Sequence, residues 1–219
     1  MKAAPPAAVI FDLDGTLVDT VPARITAWRE TFDEAGIRVE DVQLEPMIGM
    51  DGRALAREVG RVAGQTLDDE EVERLDRRAG ERFDEHNRAP LPLPGAHGAL
   101  ERIERAGVTW AIATSSRAEQ VAVSIAALDL SVTPRIVDGS RVAHAKPAPD
   151  LLLLAADELE VDPDATWYVG DATWDMRAAV AAGMVPIAVL AGAAVDEATL
   201  RSAGAAVVLR TLDELDLPG

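Results

Sequence analysis

An apolar run, Val9-Ile-Phe11, leads straight into Asp12-Leu-Asp14 and then Gly15-Thr16. The run reads as a buried strand, and residues i and i+2 of a strand project to the same side. Asp12 and Asp14 therefore share one small volume if the extended geometry persists. Two like charges about 4 Å apart cost about 4 kcal/mol at an effective dielectric near 20. A folded chain holds such a pair when a cation sits between them, or when one carboxyl keeps its proton. Either arrangement is chemically useful; the plain alternative is an acidic loop.

The rest of the sequence supplies a frame for that pair. From about residue 92, short apolar runs alternate with helical patterns. Val108–Ala113, Thr166–Val169, Val185–Leu190 and Ala206–Leu209 read as strands, with Arg135–Asp138 a weaker candidate. Between them Ala96–Ala106, Ala118–Leu128, Asp150–Leu159 and Trp174–Ala182 repeat apolar residues three and four apart. Gly107 and Gly183 stand where helix C-caps belong. With the first strand, Ala7–Leu13, this alternation predicts βαβ units: an α/β fold with a doubly wound parallel sheet.

Residues 20–90 carry no strand pattern. Val21, Ile25, Trp28 and Phe32 form one stripe of an amphipathic helix, and Arg53–Val62 and Leu67–His86 continue in helical period. The acidic cluster Asp68–Glu71 reads as a helix start, where the dipole favours negative charge. The proline-rich Ala89–Gly95 segment reads as a stiff hinge. The expected organisation is a helical domain, 19–90, inserted into an α/β core of 1–18 and 91–219.

Composition excludes several functions. A net charge of -17 opposes nucleic acid or an anionic membrane as partner. Without cysteine there is no disulfide, thiolate catalysis or Cys-ligated metal. The proline-broken N-terminal segment is too short for a signal peptide, and no apolar run approaches spanning length. A soluble, cytoplasmic protein is expected, monomeric or homodimeric.

Further polar signals adjoin the predicted strands: Thr114-Ser-Ser116, Lys146-Pro147, and Gly170-Asp171 with Asp175. In a doubly wound sheet ligand groups gather at the carboxyl ends of the strands, so these residues converge with Asp12 and Asp14. Carboxylates, a hydroxyl and an ammonium are what phosphoryl transfer requires: hard oxygens for Mg²⁺, and Lys and Thr for phosphate oxygens.

These four motifs resemble those of the haloacid-dehalogenase-like (HAD) hydrolase superfamily over residues 9 to about 190. The helical insertion resembles its C1 cap, and the pattern is similar to phosphoglycolate-phosphatase-like and β-phosphoglucomutase-like members. The resemblance implies a Mg²⁺-dependent phosphatase acting on a small phosphorylated metabolite. It implies Asp12 as nucleophile and Asp14 as general acid and base. Metal is implied at Asp12, Asp14 (through its backbone carbonyl), Asp171 and Asp175, and phosphoryl binding at Thr114, Ser115 and Lys146. Asp14 argues for phosphoryl chemistry, because haloacid dehalogenases lack that second aspartate. Gly170 stands where related phosphomutases usually carry an acidic residue, which favours hydrolysis over mutase activity. Arg53, at the end of the Met47–Arg53 stretch that resembles the cap's loop over the active site, and Arg117 are the candidate cations for a substrate's second anionic group. Trp174 is expected to pack against the following helix. A receiver-like regulatory module is the alternative from another class; such modules keep their acidic pair adjacent and need no long helical insertion.

Overall fold

The computed structural model describes residues 6–217. The N-terminal segment read above for signal-peptide character lies mostly outside them. Strand β1 (Ala8–Phe11) is followed by a two-residue strand β2 (Val18–Asp19), then helices α1 (Val21–Glu34), α2 (Asp41–Leu44), α3 (Gly52–Val62) and α4 (Asp69–His86). A second short strand, β3 (Leu91–Pro92), precedes α5 (Ala96–Arg105), β4 (Thr109–Ala113), α6 (Ala118–Ala127) and β5 (Arg135–Val137). The chain continues through α7 (Asp150–Leu159), β6 (Thr166–Gly170), α8 (Thr173–Ala182), β7 (Val185–Val189), α9 (Glu197–Ser202) and β8 (Val207–Leu209).

Six strands make a parallel sheet in the order β5-β4-β1-β6-β7-β8. Strand β1 is central, and the chain winds outward from it first through β4 and β5, then through β6, β7 and β8. That reversal of direction opens a crevice at the carboxyl ends of β1, β4 and β6. Side chains alternate across the sheet as a period of two requires. Val9 and Phe11 join Ile112 and Val169 against Leu100 and Ile103 of α5. Ile10 joins Ala113 and Tyr168 against Leu151 and Leu152 of α7 and Ala178 and Ala179 of α8. Both faces are covered, which is why β1 is apolar without alternation.

Helices α1 to α4 have a core of their own. The stripe read on α1 buries Trp28 and Phe32, their rings stacked at 5.2 Å, against Leu44, Leu55, Val59, Val72 and Leu75. The acidic cluster before α4 is a capping box: Asp68 accepts the Glu71 amide at 2.8 Å, and the Glu71 carboxylate accepts the Asp68 amide at 3.0 Å. The helical segment is tied to the sheet by an antiparallel ribbon, Val18 opposite Pro92 and Asp19 opposite Leu91. Part of the proline-rich segment is thus a strand.

The apolar anchoring is unequal, and that is testable. Phe32→Ala should cost about 3–5 kcal/mol, because a fully buried ring leaves a cavity. Leu91→Ala, at a side chain 70% exposed, should fall within about 0.5 kcal/mol. Urea unfolding of both variants checks the contrast, and equal midpoints would contradict it.

Candidate active site

Asp12 follows β1 directly, its amide held by the Val169 carbonyl at 2.8 Å. The chain then turns at Gly15, whose φ of +81° lies in the left-handed region. A Cβ there would stand 2.3 Å from Asp171 Oδ2, so the turn closes directly against the exit of β6. Thr16 Oγ1 donates to Asp171 Oδ1 at 3.0 Å. The Gly-Thr pair therefore exists to bring the first strand's carboxylates up to the fourth motif.

Lys146 is 4% exposed, and its ammonium lies 2.6 Å from Asp12 Oδ1 and 2.8 Å from Asp175 Oδ1. Asp175 Oδ2 accepts the Ala172 amide at 2.9 Å, fixing the first turn of α8. The Tyr168 hydroxyl lies 3.1 Å from the Ala113 carbonyl and 3.2 Å from Asp175 Oδ1. One oxygen from each of Asp12, Asp171 and Asp175 falls within 4.8 Å of the others. Burial pushes the Asp12 carboxyl up to about 7; Lys146 opposes the rise, while Asp175 and Asp14 add to it. Burial, with Asp175 and Asp12 beside it, holds Asp171 well above the usual carboxylate range. Burial also works against charge on Lys146, but Asp12 and Asp175 outweigh it and keep the ammonium well above the usual lysine range.

With all three carboxylates ionised, one ammonium would leave two negative charges uncompensated in a buried site, and without a cation Asp12 and Asp171 are pushed toward their protonated forms instead. A divalent cation with a taste for hard oxygen ligands fits that donor set, and Mg²⁺ is such an ion.

Asp14 is turned away from this triad. Its Oδ2 accepts a short hydrogen bond from Ser116 Oγ and lies 3.6 Å from Arg24 Nη2, while its buried Oδ1 has no partner. A cavity of about 350 Å³ opens here, lined by Asp12, Asp14, Thr114, Ser115, Lys146, Asp171 and Asp175 from the sheet side. Every site residue read from the sequence reaches it. Thr114 Oγ1 accepts the Ser116 amide at 3.1 Å, which leaves its own proton to donate. Ser115 Oγ is buried without a partner.

The two cation candidates line the same cavity but are already engaged. Arg53 is bidentate on Glu73, at 2.6 and 3.3 Å, and Arg117 is paired closely with Asp76 of α4. Trp174 does not line the cavity: its ring lies 4.9 Å from the guanidinium carbon of Arg177 on the same helix, α8, and its indole N–H also reaches across to the Pro46 carbonyl at 3.1 Å. His144 pairs with Asp150 at 2.9 Å and does not line the cavity. Sequence reasoning missed Arg24, Thr20 and Tyr168. The available signal for Arg24 was a charge at the edge of the Val21–Phe32 stripe; Tyr168 sits inside an apolar strand and gave none.

Residues 9–189 match the family model described as haloacid dehalogenase-like hydrolase. The chain belongs to the haloacid dehalogenase-like hydrolase family. It is 31% identical to an N-acetylmuramic acid 6-phosphate phosphatase of Pseudomonas aeruginosa, over 84% of this chain and 82% of the relative. It is 32% identical to a phosphoglycolate phosphatase of Xanthomonas campestris pv. campestris, over 85% and 84% respectively. A crystal structure of a hydrolase from Pseudomonas syringae superposes with a TM-score of 0.89 at 33% identity, covering 94% of each chain. These phosphatase relatives place the protein among the family's phosphoric monoester hydrolases. Among the described residues no helix is long and apolar enough to cross a membrane.

A metal-free Asp12 near 7 sets a sign for cation binding. Below that pH the proton competes with the metal, so Mg²⁺ uptake should release protons and weaken as pH falls from 8 to 6. Calorimetry in buffers of different ionisation enthalpy measures both effects. Mg²⁺ affinity that is independent of pH would contradict the arrangement.

Proposed function

We propose that the protein is a Mg²⁺-dependent phosphatase acting on a small phosphate monoester, phosphoglycolate- or sugar-phosphate-like, through an aspartyl phosphate on Asp12. The supporting observation is the division of labour between Asp12, locked on Lys146 among the carboxylate triad, and Asp14, turned out toward the cavity. In this reading Asp171 and Asp175 hold Mg²⁺ with Asp12, and the ion supplies charge neutralisation for the phosphoryl group. Lys146 fixes the Asp12 carboxylate so that it presents an oxygen to phosphorus, and it offers its remaining proton to the phosphoryl oxygens. Thr114 and Ser115 add hydroxyl donors on the β4 side. Asp14 gives its proton to the departing alkoxide and later takes one from the attacking water. Covalent catalysis of this kind splits one difficult displacement into two easier ones. The helical segment 19–90 serves as a cap over the cavity, on a core of 1–18 and 91–219.

Hydrolysis is preferred to phosphomutase chemistry on a packing ground. A Cβ at Gly170 would meet the Asp175 Cβ at 2.5 Å, so the acidic residue associated with mutases does not fit there. A silent receiver-like module is disfavoured because the acidic pair is not adjacent and the cavity lies beneath a helical insertion.

The test is turnover of an aryl phosphate. Multiple turnovers are expected with Mg²⁺, none in excess EDTA, and inhibition by Ca²⁺, whose looser coordination misplaces the nucleophile. Asp12→Asn should fall to background with the fold intact. Full activity in EDTA, or in Asp12→Asn, would overturn the proposal.

A further inference from the structure

Among the described cations that line the cavity, Arg24 is the one without a carboxylate at hydrogen-bond distance. Lys146, Arg53 and Arg117 are each held by a close carboxylate. Arg24, on the first turn of α1, makes one hydrogen bond among the described residues, from Nη2 to Ser116 Oγ at 3.1 Å. Its nearest carboxylate, Asp14, stands off at 3.6 Å. A guanidinium carries five N–H donors in a planar fork, and at this half-buried position most of them stay open to a ligand that enters the cavity. The guanidinium lies on the Phe83 ring, its carbon 3.5 Å from the centroid, and Phe83 is itself buried. That stacking fixes the plane and leaves an edge toward the cavity that Arg24 lines. Thr20, one helical turn earlier, lines the same wall, and its fully buried Oγ1 has no partner.

We propose that Arg24, assisted by Thr20, is the specificity group of the site and binds a carboxylate on the leaving group of the substrate. The inference deepens the phosphatase reading and rests on it. A planar fork matches a planar carboxylate in bidentate fashion. Arg24 stands beside Asp14, the residue that would protonate the ester oxygen, so the carboxylate lies close to that oxygen. The chemistry selected is a phosphorylated α-hydroxy acid. A cavity of about 350 Å³ that must also house the phosphoryl group suits so short a molecule. Arg53 and Arg117 face Glu73 and Asp76 at closer range than Arg24 faces Asp14.

The experiment compares phosphoglycolate with its uncharged amide in the wild type, Arg24→Leu and Arg24→Lys, with circular dichroism as the check on folding. The wild type should favour the acid in kcat/KM by roughly 30-fold, the scale of a charge-assisted hydrogen bond. Arg24→Leu should collapse that ratio toward one, mostly through KM, and Arg24→Lys should restore part of it. A wild type without preference overturns the proposal, even if Arg24→Leu does not fold. Equal losses on both substrates also overturn it, and would make Arg24 a residue that positions Ser116 and Asp14. If the wild type hydrolyses other phosphate monoesters but neither of these, only the carboxylate assignment fails. If it hydrolyses no phosphate monoester, the phosphatase reading fails and takes the assignment with it.

Discussion

Lys146 sits almost fully enclosed between Asp12 and Asp175, and the fold can be understood as the means of keeping it there. An unpaired buried ammonium or carboxylate costs several kcal/mol, so each partner must be placed before the others become tolerable. Asp12 is placed by β1 at the middle of the sheet, and Asp175 by the first turn of α8 through the Ala172 amide. Tyr168 reaches beneath the pair from β6. Gly15 and Gly170 lie where any side chain would strike Asp171 or Asp175, so both absences of a Cβ serve the same cluster. One positive charge is too little for the carboxylates around it. In the proposed reading a divalent ion makes up that deficit before a phosphoryl group is bound.

Chemistry and selection come from different parts of the chain. The triad, Lys146, Thr114 and Ser115 all belong to the parallel sheet and its exits, rigid elements with cores on both faces. Arg24 and Thr20 come from the helical segment, whose core is a cluster of its own and whose links to the sheet include several polar contacts. Besides the Arg24–Ser116 bond, these include Arg117 with Asp76, Gln120 with Asp84, and Trp174 with Pro46. Contacts of this kind can be exchanged without disturbing the apolar packing below. Under the proposed reading, a wall built on α1 can change what leaves while the residues assigned to the phosphoryl group stay fixed.

The sheet was legible because its signals are local. Apolar runs at β1, β4, β6 and β7 and the stripes of α5 to α8 declare their period within each segment. Even the short run at Arg135 proved to be a strand. The carboxyl-end rule then gathered Asp12, Asp14, Thr114, Lys146, Asp171 and Asp175 without any knowledge of distance. Elements of two to six residues, β2, β3, α2 and α9, are too short to show a period. Arg53 and Arg117 were legible as charges but not as spent charges, because Glu73 and Asp76 lie on another helix and only packing brings them in. Arg24 was the reverse case, an ordinary helix arginine until Phe83 and Ser116 close around it.

The central claim is that Asp12 takes up the phosphoryl group while Asp14 manages the protons. Asp14→Asn keeps the backbone but transfers no proton, and general acid–base help is typically worth about 10²–10⁴-fold. A nitrophenyl leaving group barely needs protonation, so the variant should still be phosphorylated and then stall. Acid quenching during the reaction, followed by peptide mapping by mass spectrometry, reads the result directly. The account predicts a phosphoryl group on Asp12 that accumulates in Asp14→Asn with the aryl substrate and not with an alkyl phosphate. Phosphorylation at another residue, or equal phosphoenzyme from both substrates while the wild type turns over each, would contradict it.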